Sequence, residues 1–225
     1  MSNILTVEAV DGPALRSAVH HGKTYYGGQP GQRYRVVVVS NRYSARAEFV
    51  ITVDGRNVID NTLGSVSGSG YIIQPRASSN IDGWRTSASE VAVFRLASAE
   101  QSYAAQSGDA SNVGVIGVAV WTEKVRPAQP RFMLGDVTRG ASPRGTRGSS
   151  ADGATLQSFG AGTAFGESET SRVSTTTFER GHDKPHETAV VYYDTVENLI
   201  ARGILPAVND ANPFPADAQG FCKRP

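Results

Sequence analysis

Residues 48–59 read EFVITVDGRNVI. Phe49, Ile51 and Val53 alternate with Glu48, Val50 and Thr52, the period of a strand with one face buried. Asp54-Gly55 follows at once, and Arg56 to Ile59 resumes an extended pattern. Both central residues of a type I′ turn need positive φ, which Asp and Gly tolerate. The stretch therefore predicts a tight β-hairpin.

Working outward, other strand patterns flank it. Arg33 to Ser40 (RYRVVVVS) is rich in β-branched residues and ends at Asn41-Arg42, a turn signal. Gly64 to Gly70 is a Gly/Ser loop, and Tyr71-Ile72-Ile73 closes at Pro75. Asn80 to Trp84 (NIDGW) predicts a turn beside an aromatic anchor. Glu90 to Leu96 and Val113 to Trp121 complete the set, and residues 97–112 predict a loop. Short strands at this spacing, without helical patterns between them, predict a mainly β chain: an antiparallel, jelly-roll-like β-sandwich over residues 1–124.

Composition changes after Lys124. Val125 to Ser150 holds three prolines and four glycines, with Arg126, Arg131, Arg139, Arg144 and Arg147 against Asp136. Residues 125–158 are expected to form a linker or arm. Residues 159–205 then predict a small hairpin-plus-helix element. Its strands are Arg172 to Arg180 and Glu187 to Tyr193. Asp194 is the expected N-cap, Glu197 sits three residues on, and Gly203 is the stop. Residues 206–225 are expected to be an irregular tail.

The segments VDGRNVID (53–60), GYIIQP (70–75), IDGWR (81–85), SEVAVFRL (89–96) and SYAAQSGDASNVGVIGVAVW (102–121) occur in that order. GAGTAFGESE (160–169), TFER (177–180) and VVYYDTVENLIARGIL (190–205) follow. Together they resemble a group of uncharacterised bacterial, mostly proteobacterial, β-rich proteins over roughly Val7 to Leu205. The resemblance implies one continuous architecture and transfers no activity, cofactor or site residue.

The chain of 225 residues carries a net charge of +1, so no global field draws it to nucleic acid or anionic membrane. Specific nucleic-acid binding is not expected. Cys222 is the single cysteine, which excludes an internal disulfide and CxxC metal sites. The start, MSNILTVEAVDG, lacks the basic and apolar regions of a secretory signal, so synthesis in the cytoplasm is expected. The final location is open, a virion or cell surface included. No apolar run is long enough to span a membrane as a helix.

Candidate chemistry is sparse. His182 and His186, with Asp183 and Glu187, have ligand-like spacing, but Pro185 places them on a loop. A polar hairpin tip is the plainer reading. His20-His21, leading into Lys23-Thr24-Tyr25-Tyr26, reads as an exposed turn before it reads as a ligand platform. Gly160, Gly162 and Gly166 have GxGxxxG spacing, not that of a dinucleotide loop. Asp54, Asp60, Asp82 and Asp109, with Asn57, Asn61, Asn80 and Asn112, fall at expected turns. They read as turn caps before they read as a calcium or glycan site. Trp84 and Trp121 are expected at the core or its rim, with one of them a candidate stacking platform. Arginine outnumbers lysine 18 to four, which favours bidentate interface contacts.

No catalytic residue and no cofactor emerge from these patterns. The leading expectation is a non-enzymatic structural or interaction protein used as a repeated copy in an assembly, of virion-decoration or surface-layer type. Its interaction candidates are the five arm arginines, Trp84 and Trp121. Self-association or a protein lattice is the expected partner. A lectin-like or calcium-dependent ligand-binding module comes second, with a glycan as partner. A hydrolase or metal enzyme comes third.

Overall fold

The computed structural model describes residues 4–41, 43–124 and 160–207. In chain order the strands are β1 (Leu5–Ala9), β2 (Arg16–His20), β3 (Lys23–Gly28), β4 (Arg33–Val39), β5 (Ala47–Val53), β6 (Arg56–Asn57), β7 (Tyr71–Ile73), β8 (Ser78–Ile81), β9 (Gly83–Arg85), β10 (Glu90–Ser98), β11 (Val115–Thr122), β12 (Ala161–Thr170) and β13 (Glu187–Thr195). A 3₁₀ turn (Ala99–Gln101) and a single-turn helix α1 (Tyr103–Gln106) follow β10, and α2 (Val196–Ala201) follows β13.

The expected β-sandwich forms. One sheet runs β1-β4-β10-β12, with β8 on β4 and β9 on β10. The other runs β2-β3-β13-β11-β5-β6, with β7 on β5. All pairs are antiparallel except β3 with β13. The inner faces supply one continuous core, including Tyr34, Val36, Phe49, Ile51, Phe94, Ile116, Val118 and Tyr193. Burying such side chains contributes about 1.5–3 kcal/mol each before ordering entropy is subtracted.

The central hairpin is as the sequence predicts. Asp54 and Gly55 have φ of 51° and 76°, and Val53 pairs with Arg56. A second tight hairpin joins β2 to β3 through His21 (φ 49°) and Gly22 (φ 75°). The His pair is therefore at a turn, its plainer reading.

Several expectations are corrected. The strands expected at 172–180 and 187–193 do not pair with each other as a hairpin. The glycine-bearing stretch 161–170 is instead β12, paired with β10 in the first sheet. Glu187–Thr195 pairs with β11 in the second. Residues 172–179, read as a strand, belong to no ladder, and Arg180 makes a single bridge to Glu123. Strand propensity alone does not supply a partner edge. Asn80 and Trp84 lie on β8 and β9, so no turn forms there. Within 97–112, expected as loop, two short helical turns form on Ser98 and Ser102 caps. Thr195, not Asp194, caps α2, its Oγ1 accepting from Asn198 N at 3.2 Å. Gly203 does end the helix with φ of 70°.

A buried polar chain crosses the core. The Asp54 carboxylate accepts from Gly114 N (2.8 Å), Thr163 N (2.7 Å) and the Tyr193 hydroxyl (2.5 Å). Thr163 Oγ1 in turn bonds the hydroxyls of Tyr193 and Tyr34. Tyr34 and Thr163 belong to the first sheet, Asp54 and Tyr193 to the second. Burial pushes the Asp54 carboxyl up to about 6, its hydrogen bonds offsetting only part of that cost.

This raised value sets a sign. Protonated Asp54 is the better tolerated form, so its contribution is full below about pH 4 and is lost as pH rises through about 6. The loss amounts to about 3 kcal/mol for a shift of this size. We expect the Asp54 carboxyl carbon to titrate near pH 6 by NMR. D54N should lower stability by about 1–3 kcal/mol, because an amide cannot accept at both positions, and should remove this component of the pH dependence. A carboxyl titrating near pH 4 contradicts the assignment.

Candidate functional site

The two outer faces of the sandwich differ. On the first sheet, Arg33 pairs with Glu169, Arg35 with Asp82 at 3.6 Å, and Arg95 with Glu167 at 2.6 Å and Asp11 at 3.6 Å. This is a solvated, mutually neutralised face.

The outer face of the second sheet is uncharged along its centre. Its cross-strand rows are Val50–Ala119–Thr188 and Thr52–Gly117–Val190. Both ends are covered. At one end α2 and the turn after it lay Leu199 and Leu205 on Tyr25, with Tyr192 and Val115 packed beside them. At the other end Phe178 packs on Val50, Ala119 and Trp121. Between the covers lies an open groove of about 480 Å³, flanked by Leu63, Gly64, Ser65 and Val66 and by Asp109 and Asn112. Gly117 lies along it, and a Cβ there would meet Thr52 Oγ1 at 2.9 Å. Leu63, Val66 and Val190 are 65%, 52% and 50% exposed, three large apolar side chains on one rim and floor.

The extended segment 171–180 acts as a strap from the first sheet to the second. Three arginines pin it. Arg85 donates to Ser171 O (2.8 Å) and Ser171 Oγ (3.0 Å). Arg46 grips Glu123 with two bonds and donates to Thr176 Oγ1 (3.2 Å) and Thr177 O (3.0 Å). Arg180 pairs with Glu48 at 2.7 Å, donates to Gly68 O at 2.8 Å and lies 4.4 Å from the Trp121 ring centre. Trp121 itself donates from Nε1 to Val66 O at 2.8 Å. Under the strap, beside β7, is a second cleft of about 650 Å³.

The sequence candidates fall as follows. Trp84 and Trp121 are both buried, so neither is an exposed stacking platform. Trp84 stands edge-on to Phe94 in the core, and Trp121 lies under the strap. Arg126, Arg131, Arg139, Arg144 and Arg147 lie outside the described residues, as does Cys222. His182 and His186 line one cleft with Tyr43, Glu123 and Lys124. Glu123 is occupied by Arg46, and among the described residues no group of three His, Cys, Asp or Glu converges on a metal position. Asp60 and Asp109 cap their own turns through Thr62 and Ser111. Asp82 instead separates β8 from β9 and faces Arg35. Among the described residues no helix is long and apolar enough to cross a membrane.

Sequence reading missed Leu63, Val66, Gly117 and Val190 as one surface, and missed the strap arginines. A glycine inside an otherwise apolar strand was the available signal for the first. No protein family, curated protein or solved structure matches this chain.

Removing the third pin tests the strap. R180A strips the Trp121 ring of its cationic cover and leaves the buried Glu48 carboxylate without its ion-pair partner. We expect a red-shifted tryptophan emission and a stability loss of about 1–3 kcal/mol by denaturant titration. An unchanged emission spectrum counts against the packing described.

Proposed function

We propose that this protein is a non-enzymatic structural or interaction protein that works as a repeated copy in an assembly, docking through the outer face of its second sheet. The observation that carries this reading is the contrast between the two outer faces. One is a lattice of paired charges. The other keeps an uncharged floor and exposes Leu63, Val66 and Val190 beside a hollow. Large apolar side chains held in water at one place favour burial against a partner.

The occupant we assign is a second copy of the same chain. Protruding side chains and an adjoining hollow on one face make that face self-complementary, as a two-fold contact requires: each copy offers a knob and a hole. The β-sheet floor is rigid, so little ordering entropy opposes docking there.

The test is molar mass by light scattering after size exclusion, over a concentration series. Wild-type protein should approach twice the mass of a single chain as concentration rises. V190E places a charge at a half-exposed strand position where it does not disturb the core, and it should remain monomeric at every concentration. A wild-type chain that stays monomeric throughout overturns the self-docking reading.

A further inference from the structure

The cleft under the strap has a different chemistry from the groove. Arg46, Arg85 and Arg172 all line it, and no Asp or Glu does. Their charges are not equally balanced. Arg46 is neutralised by Glu123. Among the described residues Arg85 bonds only neutral oxygens: Tyr71 Oη at 3.0 Å, Ser87 O at 3.2 Å, and the carbonyl and hydroxyl of Ser171. Arg172 is exposed and makes no hydrogen bond or ion pair with a described residue. The three cations less Glu123 leave two positive charges facing one cavity.

A half-buried guanidinium held by neutral dipoles keeps its full charge and gains from an anion nearby. Arg172 presents an unused planar fork, the geometry that takes an oxyanion through two parallel bonds. Pinning the strap explains Arg85 and Arg46. It does not explain Arg172, which pins nothing. The remaining walls are mixed. Ser79, Ser174 and Thr175 offer hydroxyls, while Ile72 and Val173 offer apolar surface. The volume of about 650 Å³ falls in the range of small-molecule sites and suits one or two sugar rings.

We infer that the cleft between β7 and the strap binds an oxyanion carried on a small polyhydroxylated molecule, an acidic sugar of the uronate, sugar-sulfate or sugar-phosphate class. Arg172 and Arg85 hold the anionic group, and the strap hydroxyls contact the ring. The site is separate from the apolar groove and does not depend on self-association.

The experiment is titration of the full chain, at low ionic strength, with glucuronate, glucose 6-sulfate, glucose 6-phosphate, neutral glucose, inorganic sulfate and inorganic phosphate. Binding is read by ¹⁵N NMR of the arginine Nε–H groups and by calorimetry. At least one acidic sugar should bind more tightly than glucose and than the matching inorganic anion. It should shift the Nε–H signals of Arg85 and Arg172. R172Q changes an exposed side chain, so the variant should fold normally and bind that sugar roughly ten-fold more weakly. V190E should bind it as wild type does, because Val190 belongs to the other face.

Four outcomes overturn the inference. Glucose binding as tightly as every acidic sugar removes the role of charge. Inorganic anions matching the acidic sugars remove the role of the ring. An affinity unchanged in R172Q places the ligand elsewhere. Capture of an acidic peptide with no binding of any acidic sugar likewise replaces it with a peptide site.

Discussion

The structure turns on one carboxylate placed where two demands meet. Asp54 occupies a hairpin position that needs positive φ, and the same residue aims its side chain inward between the sheets. There it ties the start of β11 through Gly114 and the start of β12 through Thr163. It also meets the end of β13 through Tyr193. The backbone N–H of Asp54 donates to Val115 O at 2.9 Å, so the turn is held from outside as well. A buried acid is costly unless its hydrogen bonds are complete, and these fix the register of elements that sequence separation would leave free.

That arrangement explains which parts of the fold could be read from residues alone. Hairpins such as Val53–Arg56 and His20–Lys23 are written locally, by Asp-Gly and His-Gly at positive φ. Strands with β-branched runs, such as β4 and β11, are legible for the same reason. The partners of β12 and of 172–179 are not. Gly160, Gly162 and Gly166 make the first look like a loop, yet the backbone of β10 passes so close that a Cβ on Gly166 would lie 2.6 Å from Val93 O. The glycine there permits a bulged ladder, not a turn. Residues 172–179 have strand composition but meet arginine side chains instead of a sheet edge.

The surfaces were less legible than the core. Alternation tells which residues face inward, but not which outward faces stay open. Val115, Tyr192 and Tyr25 form an outward row, and α2 covers it. Thr52, Gly117 and Val190 form the neighbouring row, and nothing among the described residues covers that floor. The difference lies in where a six-residue helix and a strap happen to fold back. Similarly, Arg46 and Arg85 are ordinary surface residues in the sequence, separated by Tyr71. They converge only because β5, β7 and the strap meet at one edge of the sandwich.

The parallel pairing of β3 with β13 brings residues 25–28 against residues 192–195. Strand β11 holds β13 on its other side, and the start of β12 meets the finishing end of β13 at Tyr193. The N-terminal hairpin thus reaches the rest of its sheet only through the last strand of the described chain. A nascent chain leaving the ribosome can make β5 with β6 and β11, but it cannot seat β2 and β3 until β13 has emerged. Closure of this sandwich is therefore a late, long-range event, with high contact order and the slow folding that goes with it. Until then the apolar edge of β3 and the floor around Tyr25 remain exposed, the period in which the chain most depends on dilution or chaperones.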